Sequence, residues 1–187
     1  MIKTKLLLLG ECEQGKSTLA NFLSETVAET GQPKTYKPTQ GCRIVEFEVK
    51  DLKLKSGRKV SCEVEMWDVS GDPRFSGGWP AIAKDTSGIV FVYRTDTNLN
   101  AKEMEGWYNN FADKQGLADK QCVIFGNNID GRTIEPNIPY KMNKIRCTVI
   151  DLNNDPEGVR SEFDKFLTDV CISTDEARDS EELKLIN

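Results

Sequence analysis

The sequence holds no histidine. That absence excludes a Ser-His-Asp triad, a Cys-His dyad and any His-ligated zinc, leaving chemistry to carboxylates, lysine, a bound metal ion or oriented water. Long apolar runs are missing too. Leu6 to Leu9 breaks at Gly10, far short of a signal-peptide core or a membrane span. No basic block stands out: 25 Lys+Arg face 30 Asp+Glu for a net charge of −5, so no electrostatic footprint for nucleic acid is expected. Six cysteines occur without any CxxC pair. A chain of this size builds a core without staples, so free, largely buried thiols in a reducing compartment are expected. The last residues, Glu181 to Asn187, contain no cysteine for prenylation, which predicts a cytoplasmic protein without a lipid anchor.

What is present is a chain of 187 residues, 38% hydrophobic, enough for one domain with a real core. Apolar runs of strand length alternate with stretches of helical period. Leu6 to Leu9 reads as a buried strand, followed by a helix over Ser17 to Val27 with Leu19, Phe22, Leu23 and Val27 on one face. Arg43 to Val49 and Val60 to Trp67 alternate, and Ser56-Gly57 between them marks a β-hairpin turn. Gly88 to Tyr93, Cys122 to Phe125 and Ile145 to Ile150 read as parallel strands separated by polar helical stretches. The last clear helix spans Glu157 to Val170. The expected organisation is therefore one α/β domain over residues 1–171 and a polar, acidic tail over 172–187. The three tryptophans read as core or switch packing rather than partner anchors, although Trp79, after Gly77-Gly78, could face a partner.

The strongest motif is Gly10-Glu11-Cys12-Glu13-Gln14-Gly15-Lys16-Ser17, which matches GxxxxGK[ST] between the first strand and the first helix. Starting at Gly10, such a loop lets the backbone N–H groups of Cys12, Glu13, Gln14, Gly15, Lys16, Ser17 and Thr18 converge on phosphates, and the helix N-terminus adds roughly half a positive charge. Lys16 would reach the β- and γ-phosphates, and the Ser17 hydroxyl would ligate Mg²⁺.

Three further elements stand in order along the chain. Thr39, in Pro38-Thr39-Gln40-Gly41, could offer its hydroxyl to Mg²⁺ and its N–H to a γ-phosphate. Asp68 and Gly71, in Trp67-Asp68-Val69-Ser70-Gly71, form DxxG, with Asp68 holding Mg²⁺ through water and the Gly71 N–H facing the γ-phosphate. Asn127-Asn128-Ile129-Asp130 ends the fifth strand. There the Asp130 carboxylate could accept from both guanine N1–H and the exocyclic amine, a pair of contacts that adenine cannot return. A nucleoside or nucleotide kinase is a competing reading of the phosphate loop, but it needs an arginine-rich lid, and the arginines here are scattered singly.

Together these motifs resemble the Ras-like small GTPases of the Rab branch, over roughly residues 4 to 170. Within them, Ala20-Asn21-Phe22-Leu23, Arg43-Ile44, Glu46-Phe47, Trp79-Pro80-Ala81, Lys84-Asp85, Glu103-Met104-Glu105 and Trp107-Tyr108 resemble the Rab-like protein 5 (intraflagellar transport protein 22) family. The resemblance implies a P-loop NTPase fold: a mostly parallel six-stranded sheet with one antiparallel hairpin strand and helices on both faces. It also implies GTP or GDP with Mg²⁺ as cofactors. The implied partners are the coiled-coil proteins 74 and 81 of intraflagellar transport complex B, at the cilium or flagellum and its base. Departures from the family pattern bear on mechanism. Asp72 stands where GTP-hydrolysing relatives place a water-orienting glutamine, and Cys12 and Glu13 stand where active switches carry glycines and admit an arginine finger. Intrinsic turnover in a good small GTPase is already only ~10⁻⁴ per second, so very slow hydrolysis is expected and no catalytic residue is assigned. Asn128 replaces the lysine that packs over the base. The last base-contacting segment aligns only loosely, with Leu152 and Asn153 as its candidates. Two functions follow: a nucleotide-loaded adaptor, or a cycling GTPase switch that times ciliary transport.

Overall fold

The computed structural model describes residues 1–25, 38–54 and 57–186. Six strands form one sheet: β1 (Ile2–Leu9), β2 (Cys42–Lys53), β3 (Lys59–Val69), β4 (Gly88–Arg94), β5 (Cys122–Asn127) and β6 (Arg146–Ile150). Their order is β2-β3-β1-β4-β5-β6, and only the β2–β3 pair is antiparallel. Every expected strand is present; five are longer by one to a few residues, and β6 begins one residue later than expected, at Arg146. The hairpin turn falls partly on Lys55 and Ser56, which lie outside the described residues. Gly57 closes it with φ +80° and an N–H donated to the Leu54 carbonyl.

Side chains alternate across the central strands, so each face of the sheet builds its own core. On one face Leu6, Leu8, Val90, Val92, Val123 and Phe125 meet α1 (Lys16–Leu23) and α4 (Pro156–Ile186). On the other, Leu7, Leu9, Ile89, Phe91 and Ile124 meet α2 (Trp79–Ala83) and α3 (Ala101–Trp107), the latter extended by a π turn over Tyr108–Ala112. Helix α4 docks through Val159, Phe163, Phe166, Leu167 and Val170. Each buried side chain of this kind contributes roughly 1.5–3 kcal/mol. Trp79 packs at 5.8 Å from the Trp107 ring and 5.3 Å from Phe111, which places it in the second core.

Three expectations change. Helix α1 ends at Leu23 with Ser24 as its C-cap instead of running on, and Val27 lies outside the described residues. The β5–β6 connection holds no α-helix, only a 3₁₀ turn over Tyr140–Met142. Gly131, Pro136 and Pro139 interrupt it, and proline removes an N–H and clashes with the preceding turn. Helix α4 does not end at Val170 but runs on to Ile186. No Gly or Pro follows Gly158, and the ion pairs Arg58–Asp175 and Lys120–Glu176 tie the extension to the body of the protein.

Candidate nucleotide-binding site

Strand β1 lies between β3 and β4, where the direction of strand progression reverses, and ligands of open α/β sheets bind at the carboxyl ends of strands at such a point. All the sequence motifs meet there. Gly10 leaves β1 with φ +155°, and a Cβ at this position would lie 2.2 Å from the Val92 carbonyl oxygen, so only glycine fits. Glu13 turns the loop with φ +62°, a left-handed conformation that side chains other than glycine adopt at a cost. The loop is braced from behind. Asn127 Nδ2 donates to the Gln14 carbonyl at 3.0 Å, and the Arg94 N–H donates to Gln14 Oε1 at 2.6 Å.

Lys16 opens α1 and is 6% exposed. Its Nζ donates to the Gly10 and Glu11 carbonyls at 2.8 and 2.6 Å, which holds the ammonium across the mouth of the loop. Burial lowers its pKa to about 8, against a smaller opposing effect from Asp68 and other nearby acidic groups. Thr18, two residues further, is exposed.

Ser17, Thr39 and Asp68 converge from three elements. Ser17 Oγ donates to Asp68 Oδ2 at 2.5 Å, Thr39 Oγ1 donates to the same oxygen at 3.3 Å, and the two hydroxyls lie 3.0 Å apart. Asp68 is fully buried, and its Oδ1 has no hydrogen-bond partner among the described residues. Two hydroxyls and one carboxylate are hard oxygen donors of the kind Mg²⁺ accepts while keeping several waters, and a hydrated ion would satisfy Oδ1. The donor set therefore fits Mg²⁺. Gly71 lies against the phosphate loop so closely that a Cβ would stand 2.4 Å from the Cys12 nitrogen.

Asp72 leads into the 3₁₀ turn over Pro73–Gly78 and caps it by accepting from the Arg74 N–H at 2.9 Å. Its other oxygen takes Arg74 Nε and Nη2 at 2.8 and 2.6 Å, and these bonds hold the carboxyl below its ordinary range.

Beyond the end of β5, Asp130 Oδ1 accepts from the Arg132 N–H and Oδ2 faces Arg132 Nε, both at 3.1 Å. A carboxylate has about four acceptor sites, so these contacts orient Asp130 without using it up. Asn128 donates to Asp151 Oδ2 at 3.2 Å, while Asp151 Oδ1 accepts from the N–H groups of Asn153 and Asn154. Leu152 packs on the α4-side core, and Asn153 stands exposed in the same turn. Sequence reading missed Asp151, Arg132, Arg74 and Arg43 as contributors. None carried a signal: the β2–β3 register sets Arg43 opposite Asp68, but a register shift between Val49 and Leu52 hides that pairing from a count back from the turn.

Comparison with known proteins agrees with this geometry. Residues 5–130 match the family described as the Ras of Complex (Roc) domain of DAPkinase. The intraflagellar transport protein 22 homologues of Danio rerio and Homo sapiens are 40% and 38% identical, each alignment covering 100% of both chains. A crystal structure of the T. brucei complex of intraflagellar transport proteins 22, 74 and 81 in its GTP-bound form matches with a TM-score of 0.71. The match has 29% identity and covers 95% of this chain and 99% of that one. The chain belongs to the intraflagellar transport protein 22 family of small GTPase-fold proteins.

Proposed function

We propose that this protein is a GTP-binding, Rab-like subunit of the intraflagellar transport machinery of the cilium or flagellum. It docks on proteins 74 and 81 and uses bound GTP and Mg²⁺ as architecture rather than as fuel. The observation that carries this reading is the convergence of Ser17, Thr39 and Asp68 beside the Lys16 ammonium, the arrangement a triphosphate requires. Ser17, Thr39 and Asp68 would hold Mg²⁺, whose charge would offset that of the phosphates. Lys16 supplies a second cation, the phosphate loop supplies converging N–H groups, and Asp130 reads the base. The chemical step lacks support, because Asp72 is engaged by Arg74 and presents no donor to a water. The partner is expected to offer a coiled coil. Titration with labelled GTP and ATP, followed by capture of the loaded protein on the 74–81 pair, tests the proposal. GTP-selective, Mg²⁺-dependent binding and capture are expected; equal affinity for ATP would overturn it.

Asp72→Gln would release Arg74 and place a neutral donor and acceptor near the γ-phosphate. Single-turnover GTP hydrolysis should rise about tenfold, still slow without a partner's arginine. An unchanged rate would mean that water orientation is not what limits the reaction.

The lowered pKa of Lys16 makes both stability and binding depend on pH. In the nucleotide-free protein the folded value of about 8 lies below the ordinary 10.5, so the unfolded chain binds more protons between these values. Stability therefore rises with pH across that window and gains nothing below it. Phosphate binding needs the ammonium form. GTP affinity should accordingly fall as pH rises through about 8, with proton uptake on binding, as isothermal titration in buffers of different ionisation heat would record.

A further inference from the structure

Asp68 presents a problem that the GTP-binding reading leaves open. A carboxylate removed from water costs several kcal/mol unless a cation faces it, yet the metal donors are already drawn together around it. Lys16, whose charge Asp68 influences, spends its Nζ on the Gly10 and Glu11 carbonyls. The other cation is Arg43. It stands opposite Asp68 in the β2–β3 register, and its Nη2 lies 3.5 Å from Asp68 Oδ2. The guanidinium is held in place: Nη1 donates to Asn21 Oδ1 at 2.8 Å, and Nη2 donates to the Ser17 carbonyl at 3.3 Å. Arg43 thus links the start of β2, four residues after Thr39, to α1 and to the buried carboxylate.

We propose that Arg43, half-exposed itself, is the protein's own counter-cation at the metal site, holding Asp68, Ser17 and Thr39 in their metal-ready arrangement before Mg²⁺ arrives. It is a positioning residue, and the inference rests on the GTP-binding reading. Two consequences act in the same direction. Without the metal ion, Arg43 keeps the carboxylate compensated and the site closed. With the metal ion present, it is a second positive charge beside the same carboxylate and weakens the metal's hold. Both make nucleotide retention depend less on Mg²⁺ than the donor set alone would.

The test compares the release rate of fluorescently labelled GTP in Mg²⁺ and in excess EDTA, for wild type, Arg43→Gln and Arg43→Lys. The ratio of the two rates should be about tenfold larger for Arg43→Gln than for wild type, with Arg43→Lys nearer wild type because it keeps the charge. Equal ratios in wild type and Arg43→Gln would overturn the proposal and leave Arg43 a merely structural sheet residue. A second measurement needs no nucleotide. In thermal unfolding of the empty protein, Arg43→Gln should lower the midpoint in the Asp68 background and have little effect beside Asp68→Asn, since the charge it compensates is gone. Equal loss in both backgrounds would contradict it. Failure of wild type to bind GTP at all would instead count against the GTP-binding reading, while the unfolding cycle still decides the Arg43–Asp68 coupling.

Discussion

Replacing Lys16 with alanine should weaken GTP binding by about 10²–10³-fold, a cost of about 3–4 kcal/mol for one partner of a desolvated, hydrogen-bonded charge pair. The ammonium is almost fully buried and already stripped of most of its water, so the desolvation that an exposed lysine would have to undergo on binding is largely complete. Its two carbonyl partners in the loop hold it across the position the phosphates would occupy, which lowers the ordering cost as well. The same substitution orphans the Gly10 and Glu11 carbonyls. A thermal shift of the empty protein should therefore fall along with the affinity measured by fluorescence titration. A loss of stability without a loss of affinity would mean that Lys16 serves the loop and not the ligand.

Asp130→Ala should remove base discrimination. Wild type is expected to prefer GTP over ITP, which lacks the exocyclic amine, by at least about tenfold, because a hydrogen bond to a charged group is worth about 1.5–3 kcal/mol. In the variant the two nucleotides should bind alike, both more weakly than GTP binds wild type. Competition titration with the two triphosphates reads this directly. Arg132 enters the same prediction. It clamps the carboxylate through a backbone N–H and a guanidinium nitrogen, so Arg132→Ala should loosen Asp130 and lose only part of the preference.

Most of the fold was legible because its signals are local. Alternation identifies β2 and β3, and the short distance between them fixes a hairpin whose register follows residue by residue from Cys42–Val69 to Val49–Cys62. The phosphate loop is legible because its chemistry needs particular residue types at fixed spacing between a strand and a helix. The extension of α4 was not legible. Its residues after Val170 lack a long apolar stripe: Cys171 and Ile172 still pack on the core, and the ion pairs further on join Asp175 and Glu176 to residues 117 and 56 positions away. The β5–β6 connection is misread for the opposite reason: its polarity suggests a surface helix, while Gly131, Pro136 and Pro139 forbid one.

The candidate site divides in the same way. Residues that would touch nucleotide or metal were legible: Lys16, Ser17, Thr39, Asp68, Gly71 and Asp130 lie on or just beyond strand and helix ends, and Asn127, also legible, braces the loop behind them. Residues that act through others were hidden, because each depends on a pairing the fold creates. Arg74 matters only because the 3₁₀ turn returns it to Asp72, and Asp151 only because β6 ends beside β5. The lack of histidine is consistent with this construction. Hydroxyls, one carboxylate, lysine and backbone N–H groups would together suit a triphosphate, and the Asp72 side chain is already engaged by Arg74.

Bound GTP is expected to be a lasting structural component of the protein. Extracting and identifying the nucleotide from the complex with proteins 74 and 81, purified natively in Mg²⁺, tests it most directly. About one GTP per chain is the predicted result; an empty site, or GDP in its place, would contradict it.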